Sequence, residues 1–185
     1  MTFIKTYKVD SELCEKIIKS YKHSKKIGAT IKRNDGMRKD NQIDFAEMDM
    51  RNTDLAVEFF DILHTSIDDY IKTLGLQNIL GPYYYTNMLI QGYEADNFES
   101  YSSWHCEAGN LNNSNRMLIY SLYLNDDFEG GTTDFMFQKH QEKPKQGKLI
   151  LFPPGYTHVH RGGMVLSGEK IIATGWVFHS PQMEN

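Results

Sequence analysis

The segment Trp104-His105-Cys106-Glu107 sets an imidazole and a carboxylate two positions apart, and FPPGYTHVHRGG (152–163) adds His158 and His160, again two apart. On an extended chain, positions i and i+2 share a face, so His105 and Glu107 are expected to point together with Cys106 turned away. Two imidazoles and one carboxylate are the ligand set of the facial triad on non-haem Fe(II), which keeps open positions for substrate and oxygen. An HxE pair alone is weak evidence, because a surface histidine beside an acid is the commoner arrangement. The third donor comes from the distal pair, in which strand parity makes His158 and His160 equivalent. The paired glycines Gly130 and Gly131 lack the following helix and Lys-Ser or Lys-Thr pair of a phosphate cradle, so they predict a tight turn. There is no GxSxG, no HExxH and no zinc-finger spacing.

These groups need strands to hold them. From Tyr83 onward the chain breaks into β-branched and aromatic runs: 83–93, 116–124, 132–138, 148–153 and 170–178. Gly, Pro, Asn and Asp separate them, as in NDDFEGG, EKPKQG and RGGMVLSG. Closely spaced short strands predict a sandwich or barrel, and a jelly roll covers its sheet edges by folding two sheets together. The first third reads as helical. Asp10 and Ser11 offer an N-cap before Leu13, Ile17, Ile18 and Tyr21. Asn52 or Thr53 can cap a second helix whose Leu55, Phe59, Ile62, Leu63, Ile67, Tyr70, Ile71 and Leu74 run at helical spacing up to Gly75. Both helices are expected to pack on a sheet, and the tail 179–185 to fray.

The 185 residues suit one domain, and 40% hydrophobic with 24% charged residues is an ordinary globular composition. No run is long enough for a membrane span and MTFIKTYKVD lacks a signal-peptide core, so a cytoplasmic location without membrane partners is expected. Cys14 and Cys106 form no disulfide framework. A net charge of −4 argues against a nucleic-acid partner. The charge is uneven: Lys22 to Lys39 holds seven basic residues against Asp35, and Asp40 to Asp69 nine acids against Arg51. The basic stretch, with Gly28 and Gly36, reads as a solvated loop or as a mobile lid over an acidic substrate or cosubstrate.

From Tyr93 to Trp176 the order of motifs resembles the Fe(II)- and 2-oxoglutarate-dependent dioxygenases of the prolyl 4-hydroxylase-like branch, in the small form carried by bacteria and phages. The matching pieces are HCE at 105–107, YLN at 123–125, GGTTDF at 130–135, KPKQGKLILFPP at 143–154 and HRGGMVLSGEK at 160–170. The resemblance implies an α+β, mainly β fold: a double-stranded β-helix (jelly roll, cupin-like) with N-terminal helices on one sheet. The expected layout is one domain over 1–185, with a helical support at 1–80 and a catalytic core at 81–180. It implies His105, Glu107 and His160 as iron ligands, since the family's basic residue lies ten positions past the distal histidine and ten back from Lys170 is His160. Lys170 is implied as the anchor of the far carboxylate of 2-oxoglutarate, with Tyr123 and Tyr93 beside it. Arg116 and Trp176 are implied, more weakly, as substrate-side residues. Glu107 departs from the family's aspartate by one methylene while keeping the hard oxygen donor that Fe(II) accepts. The implied cofactors are Fe(II), 2-oxoglutarate and O2, with ascorbate as reductant. The implied reaction is hydroxylation of a C–H bond, peptidyl proline foremost, with release of succinate and CO2.

Two rivals use the same donors: a non-catalytic jelly-roll module holding zinc, and a cupin-type metal hydrolase. Lys170 has no use in the first, and the second lacks a further acid or base. The substrate is expected to be a small molecule or a peptide, with Tyr83 to Tyr85, Tyr101, Trp104 and the loop 110–115 at the entrance.

Overall fold

Helix α1 (Ser11–Lys26) begins where the Asp10 carboxylate accepts from the Glu12 amide, capping the first turn as its side-chain chemistry predicts. It ends at Ile27 and Gly28, the latter at φ +74°. Leu13, Cys14, Ile17, Ile18 and Tyr21 form its buried face. Helix α2 (Thr53–Thr73) buries Phe59, Leu63, Ile67 and Tyr70 in the same core and is followed by Gly75 at φ +69°. This computed structural model describes residues 2–45, 48, 53–85 and 88–181. The alternative cap Asn52 and most of the tail lie outside the described residues.

The strands are β1 (Lys5–Lys8), β2 (Ile31–Asn34), β3 (Lys39–Asp44), β4 (Tyr83–Tyr85), β5 (Leu89–Glu94), β6 (Arg116–Tyr123), β7 (Glu129–Gly130), β8 (Thr133–Phe135), β9 (His140–Glu142), β10 (Lys148–Phe152), β11 (His160–Gly162), β12 (Val165–Ser167) and β13 (Glu169–His179). An antiparallel sheet of order β1-β10-β6-β13-β5-β3-β2 carries β4 on β13; opposite stand the small sheets β11-β8-β9 and β12-β7. This is the expected mainly β, jelly-roll-like architecture with helices on one sheet.

Alternation along the central strands divides the large sheet into two faces. Leu118, Tyr120 and Leu122 of β6, Leu149 and Leu151 of β10, and Ile171, Ala173 and Val177 of β13 pack with the helices. Their neighbours Ile119 and Tyr123, Ile150 and Phe152, and Ile172 and Trp176 turn the other way, towards Phe135 of the small sheet. The one-residue offset is the fold's means of aiming every second side chain into the space between the sheets.

The expectation of a purely helical first third is corrected: β1, β2 and β3 all join the large sheet. The basic stretch is likewise no loop. It forms the end of α1, then the β2–β3 hairpin on the sheet edge, where Asp35 turns the chain by accepting from the Met37 and Arg38 amides. Charged residues masked these strands because β2 is exposed along its length and β3 buries polar Asp40 and Asn41. Run 83–93 is two strands, β4 and β5, around residues outside the description.

Candidate functional site

Between the sheets lies a cleft of about 720 Å³ including its mouth, lined by both faces just described. His105 and His160, far apart in sequence, sit opposite each other in an isolated antiparallel bridge, each amide donating to the other's carbonyl at 3.0 and 2.9 Å. The Glu107 and Ala108 amides both donate to Pro154 O at 2.9 Å, which turns the chain and swings Glu107 back. The shared direction of His105 and Glu107 thus comes from a bridge and a turn, where a continuous strand was expected.

The donor atoms of His105, Glu107 and His160 all lie within 4.8 Å of one another. His105 Nδ1 donates to Ser103 O at 2.8 Å, and His160 Nδ1 to His158 O at 3.0 Å. A carbonyl only accepts, so each neutral imidazole keeps its proton on Nδ1 and leaves Nε2 with a bare lone pair, as a metal ligand requires. His105 Nε2 faces Glu107 Oε1 at 3.5 Å. Burial and the neighbouring His105 hold the His160 pKa down at about 4, so its lone pair is free at neutral pH. Burial pushes the Glu107 carboxyl up, but the adjoining His105, with Arg116 and His160, outweighs it and holds the group below its ordinary value.

The other carboxylate oxygen of Glu107 is spoken for. Arg116 Nη1 donates to Oε2 at 2.6 Å and to the Glu107 carbonyl at 2.7 Å, and Trp176 Nε1 donates to Oε2 at 3.1 Å. The Arg116 guanidinium stacks on the Trp176 ring at 4.1 Å. Both residues, expected near substrate, are placed against Glu107, and only Trp176 also lines the cleft. His158 is absent from the cluster: Tyr156–His158 is a 3-10 turn, which breaks the parity on which its equivalence to His160 rested, and its ring meets Phe3 edge-on.

At the other end Lys170 is 4% exposed. Its Nζ donates to Gly131 O at 2.7 Å and lies 5.4 and 5.7 Å from the Tyr123 and Tyr93 rings. Burial lowers its pKa to about 8, with Asp134 acting in the opposite sense. The Tyr123 hydroxyl shares a 2.6 Å hydrogen bond with Thr133 Oγ1, and Tyr93 OH accepts from Gln91 Nε2 at 3.0 Å. The tyrosines are therefore held rather than free, and Thr133, reached only through the GGTTDF motif, borders the cleft with Lys170.

Tyr101 lies flat on His105, with ring centroids 3.8 Å apart and planes at 9°. Arg38 and Arg161 also line the cleft; neither stood out in the sequence, although Arg38 belongs to the basic stretch. Tyr83 to Tyr85, expected at the entrance, form β4 instead: Tyr83 bonds Asp68 and Tyr85 stacks on Phe60 of α2. None of 110–115 lines the cleft. No described helix is long and apolar enough to cross a membrane.

Known structures share this fold over nearly the whole chain. The viral collagen prolyl hydroxylase vCPH of Paramecium bursaria Chlorella virus-1, solved as a 2OG complex, aligns with TM-score 0.69 and 20% identity over 97% of each chain. A Pseudomonas putida prolyl-4-hydroxylase aligns with TM-score 0.76 and 16% identity over 98% of this chain and 95% of its own. A Trichoplax adhaerens prolyl hydroxylase, in complex with a hypoxia inducible factor oxygen degradation domain peptide fragment, aligns with TM-score 0.73 and 15% identity over 97% and 84%. At these identities the likeness is one of fold. No curated protein matches by sequence. Residues 88–178, which include all three clustered donors and Lys170, match the family model described as the 2OG-Fe(II) oxygenase superfamily. Over that stretch the chain is a 2-oxoglutarate- and Fe(II)-dependent dioxygenase, in a fold that it shares with the prolyl 4-hydroxylases.

Proposed function

We propose that His105, Glu107 and His160 hold Fe(II), that Lys170 anchors the far carboxylate of 2-oxoglutarate, and that the enzyme hydroxylates an aliphatic C–H bond, with a peptidyl proline as the first candidate. The observation that carries this reading is the pair of Nδ1–H bonds to Ser103 and His158 carbonyls, which leave two imidazole lone pairs beside one carboxylate oxygen. When bound together, the ferrous ion and 2-oxoglutarate supply O2 activation and oxidative decarboxylation to succinate and CO2.

The chain's own residues prepare that chemistry. Arg116 and Trp176 occupy Glu107 Oε2, so the carboxylate offers Oε1 alone and the added methylene is fixed in one conformation. Lys170, sunk between Tyr93 and Tyr123, presents an ammonium with one hydrogen-bond partner among the described residues, a strong site for a charge-assisted bond in a buried setting. Ile119, Phe152 and Ile172 wall the cleft and exclude water. Prolyl hydroxylases among the structural neighbours, one of them bound to a peptide, support a peptide substrate.

We read residues 1–185 as one catalytic domain, because strands from the first 45 residues share the sheet that carries Lys170. The zinc-module rival leaves a buried Lys170 without purpose, and the hydrolase rival finds no carboxylate in the described lining besides Glu107. Incubation with Fe(II), 2-oxoglutarate and air, with succinate measured by mass spectrometry, tests the reading. Succinate formation is expected, and its loss in His160→Ala but retention in His158→Ala; no succinate from the unaltered protein rejects it.

A further inference from the structure

We propose that the substrate is a peptide in which an acidic side chain flanks the target residue and its carboxylate is received by Arg38 and Arg161. This rests on the dioxygenase reading above and adds a substrate class to it.

The charged residues lining the cleft are unequal in sign. Arg38, Arg161 and Lys170 are cationic, and Glu107 is the one carboxylate among the described lining. In that reading Lys170 is taken by the cosubstrate and Glu107 by the metal, so two guanidiniums are left for the substrate.

The two arginines come from opposite sides. Arg38 precedes β3 on the hairpin, and Arg161 is the middle residue of β11. Each is backed by an aromatic ring from the segment leading into His105: Arg38 over Tyr101 at 5.4 Å and Arg161 over Trp104 at 4.4 Å. Tyr101 in turn lies on His105, which ties Arg38 to the metal corner, and Arg161 directly follows His160 on β11. Stacking on a ring fixes the plane of a guanidinium and leaves its edge to bind.

Their acidic partners take only part of each fork. Arg38 Nε lies 2.9 Å from Asp40 Oδ2 and its Nη2 donates to Gln42 at 2.6 Å. Arg161 Nε donates to Asp134 Oδ2 at 3.1 Å, an acid that also accepts from Thr132 and Gln141. Nη1 of Arg38 and both Nη groups of Arg161 have no partner among the described residues. The Arg161 donors can be met by water, since that side chain is 40% exposed. The Arg38 side chain is 11% exposed, and its Nε, close to Asp40 Oδ2 but not aligned for a hydrogen bond, is a buried N–H without an acceptor among the described residues, which is costly. A carboxylate fits such a fork in both charge and shape.

The exposure of Arg161 and of Trp104 points to a peptide over a small free acid. A ligand that reaches from the metal corner to Arg161 extends into the open mouth, as a chain does and an enclosed metabolite does not.

The test uses the full chain loaded with 2-oxoglutarate and Mn(II), which does not turn over, and calorimetry with end-blocked peptides Gly-Asp-Pro-Asp-Gly, Gly-Asn-Pro-Asn-Gly and Gly-Lys-Pro-Lys-Gly. Free L-proline serves as the free-acid arm. The aspartyl peptide is expected to bind about tenfold tighter than the asparaginyl one, with the lysyl peptide weakest. Arg38→Gln and Arg161→Gln should each reduce that preference to about threefold or less, and added salt should weaken the aspartyl peptide alone. Thermal melts report folding, and Arg161→Gln, at an exposed position, serves should Arg38→Gln fail to fold. Equal binding of aspartyl and asparaginyl peptides, a preference that survives Arg161→Gln, no binding of any peptide, or tighter binding of free proline overturns the proposal. Succinate formed from 2-oxoglutarate and Fe(II) without peptide tests the underlying reading separately, so the two can fail independently.

Discussion

Gly131 and Lys170 are fitted to each other twice over. The Gly131 carbonyl accepts the Lys170 ammonium at 2.7 Å, and the missing side chain of Gly131 leaves the room that the lysine stem fills. A Cβ there would stand 2.9 Å from Lys170 Cδ and 2.7 Å from Phe128 Cε2, at a φ of +62° that side chains rarely adopt. The GG turn is therefore the seat of the buried cation.

Gly131→Ala follows from that fit. The substitution is expected to cost about 1–3 kcal/mol of stability through the backbone and the contact. It should also weaken 2-oxoglutarate binding by about tenfold or more as the ammonium shifts. Thermal denaturation and calorimetric titration of the Mn(II) protein check both, and an unshifted 2-oxoglutarate affinity would refute the coupling.

Lys170 has a folded-state pKa near 8 against 10.5 for an ordinary lysine. Between those values the unfolded chain binds more protons, so stability rises with pH across that window, and the burial penalty is fully present below it. Lys170→Met is expected to stabilise the ligand-free protein by on the order of 2 kcal/mol, less the loss of the Gly131 bond. The same substitution should abolish charge pairing with 2-oxoglutarate. In the unaltered protein, affinity for 2-oxoglutarate should fall as pH rises through 8, which titrations at several pH values will show.

Arg116 and Trp176 share one oxygen of Glu107, and their removal should be felt at the metal. Arg116→Gln is expected to weaken Mn(II) or Fe(II) binding by about 10–100-fold, and Trp176→Phe by less, since only the weaker N–H bond goes. Competition with a coloured chelator measures this without turnover. Unchanged metal affinity in Arg116→Gln means that the guanidinium does not position Glu107.

Acid should act through His160. With its pKa lowered to about 4 from 6.5, the unfolded chain binds the extra proton between those values, so the metal-free protein loses stability as pH falls from 6.5 to 4. The loss is on the order of 2 kcal/mol. His160→Gln does not titrate and should show a shallower slope in denaturant melts over that range.

Much of this was legible in the residues. β-Branched and aromatic runs between turn residues pointed to the three central strands at 116–124, 148–153 and 170–178, and the family resemblance, through its ten-residue interval, singled out His160 and Lys170, which both line the cleft. The small strands β7, β9, β11 and β12 have two or three residues each, too few for a period to show. β3 hid for another reason: it buries polar side chains, Asp40 accepting from Gln91 and Asn41 held through its backbone carbonyl by the Tyr21 hydroxyl, so its composition mimics a surface loop. Arg116 and Trp176 were visible as residue types, but their shared contact with Glu107 depends on a turn at Pro154 that no local pattern announces.

The bridge between His105 and His160 makes the cleft a product of long-range closure. The two imidazoles are 55 positions apart, and β13, which carries Lys170 and Trp176, runs to His179. Without the segment that holds His160, the backbone of His105 loses both hydrogen bonds of the bridge that orients it. The space between the sheets is therefore shaped by contacts distant in sequence, and a cut between the two imidazoles should cost the cleft its form before it costs any helix.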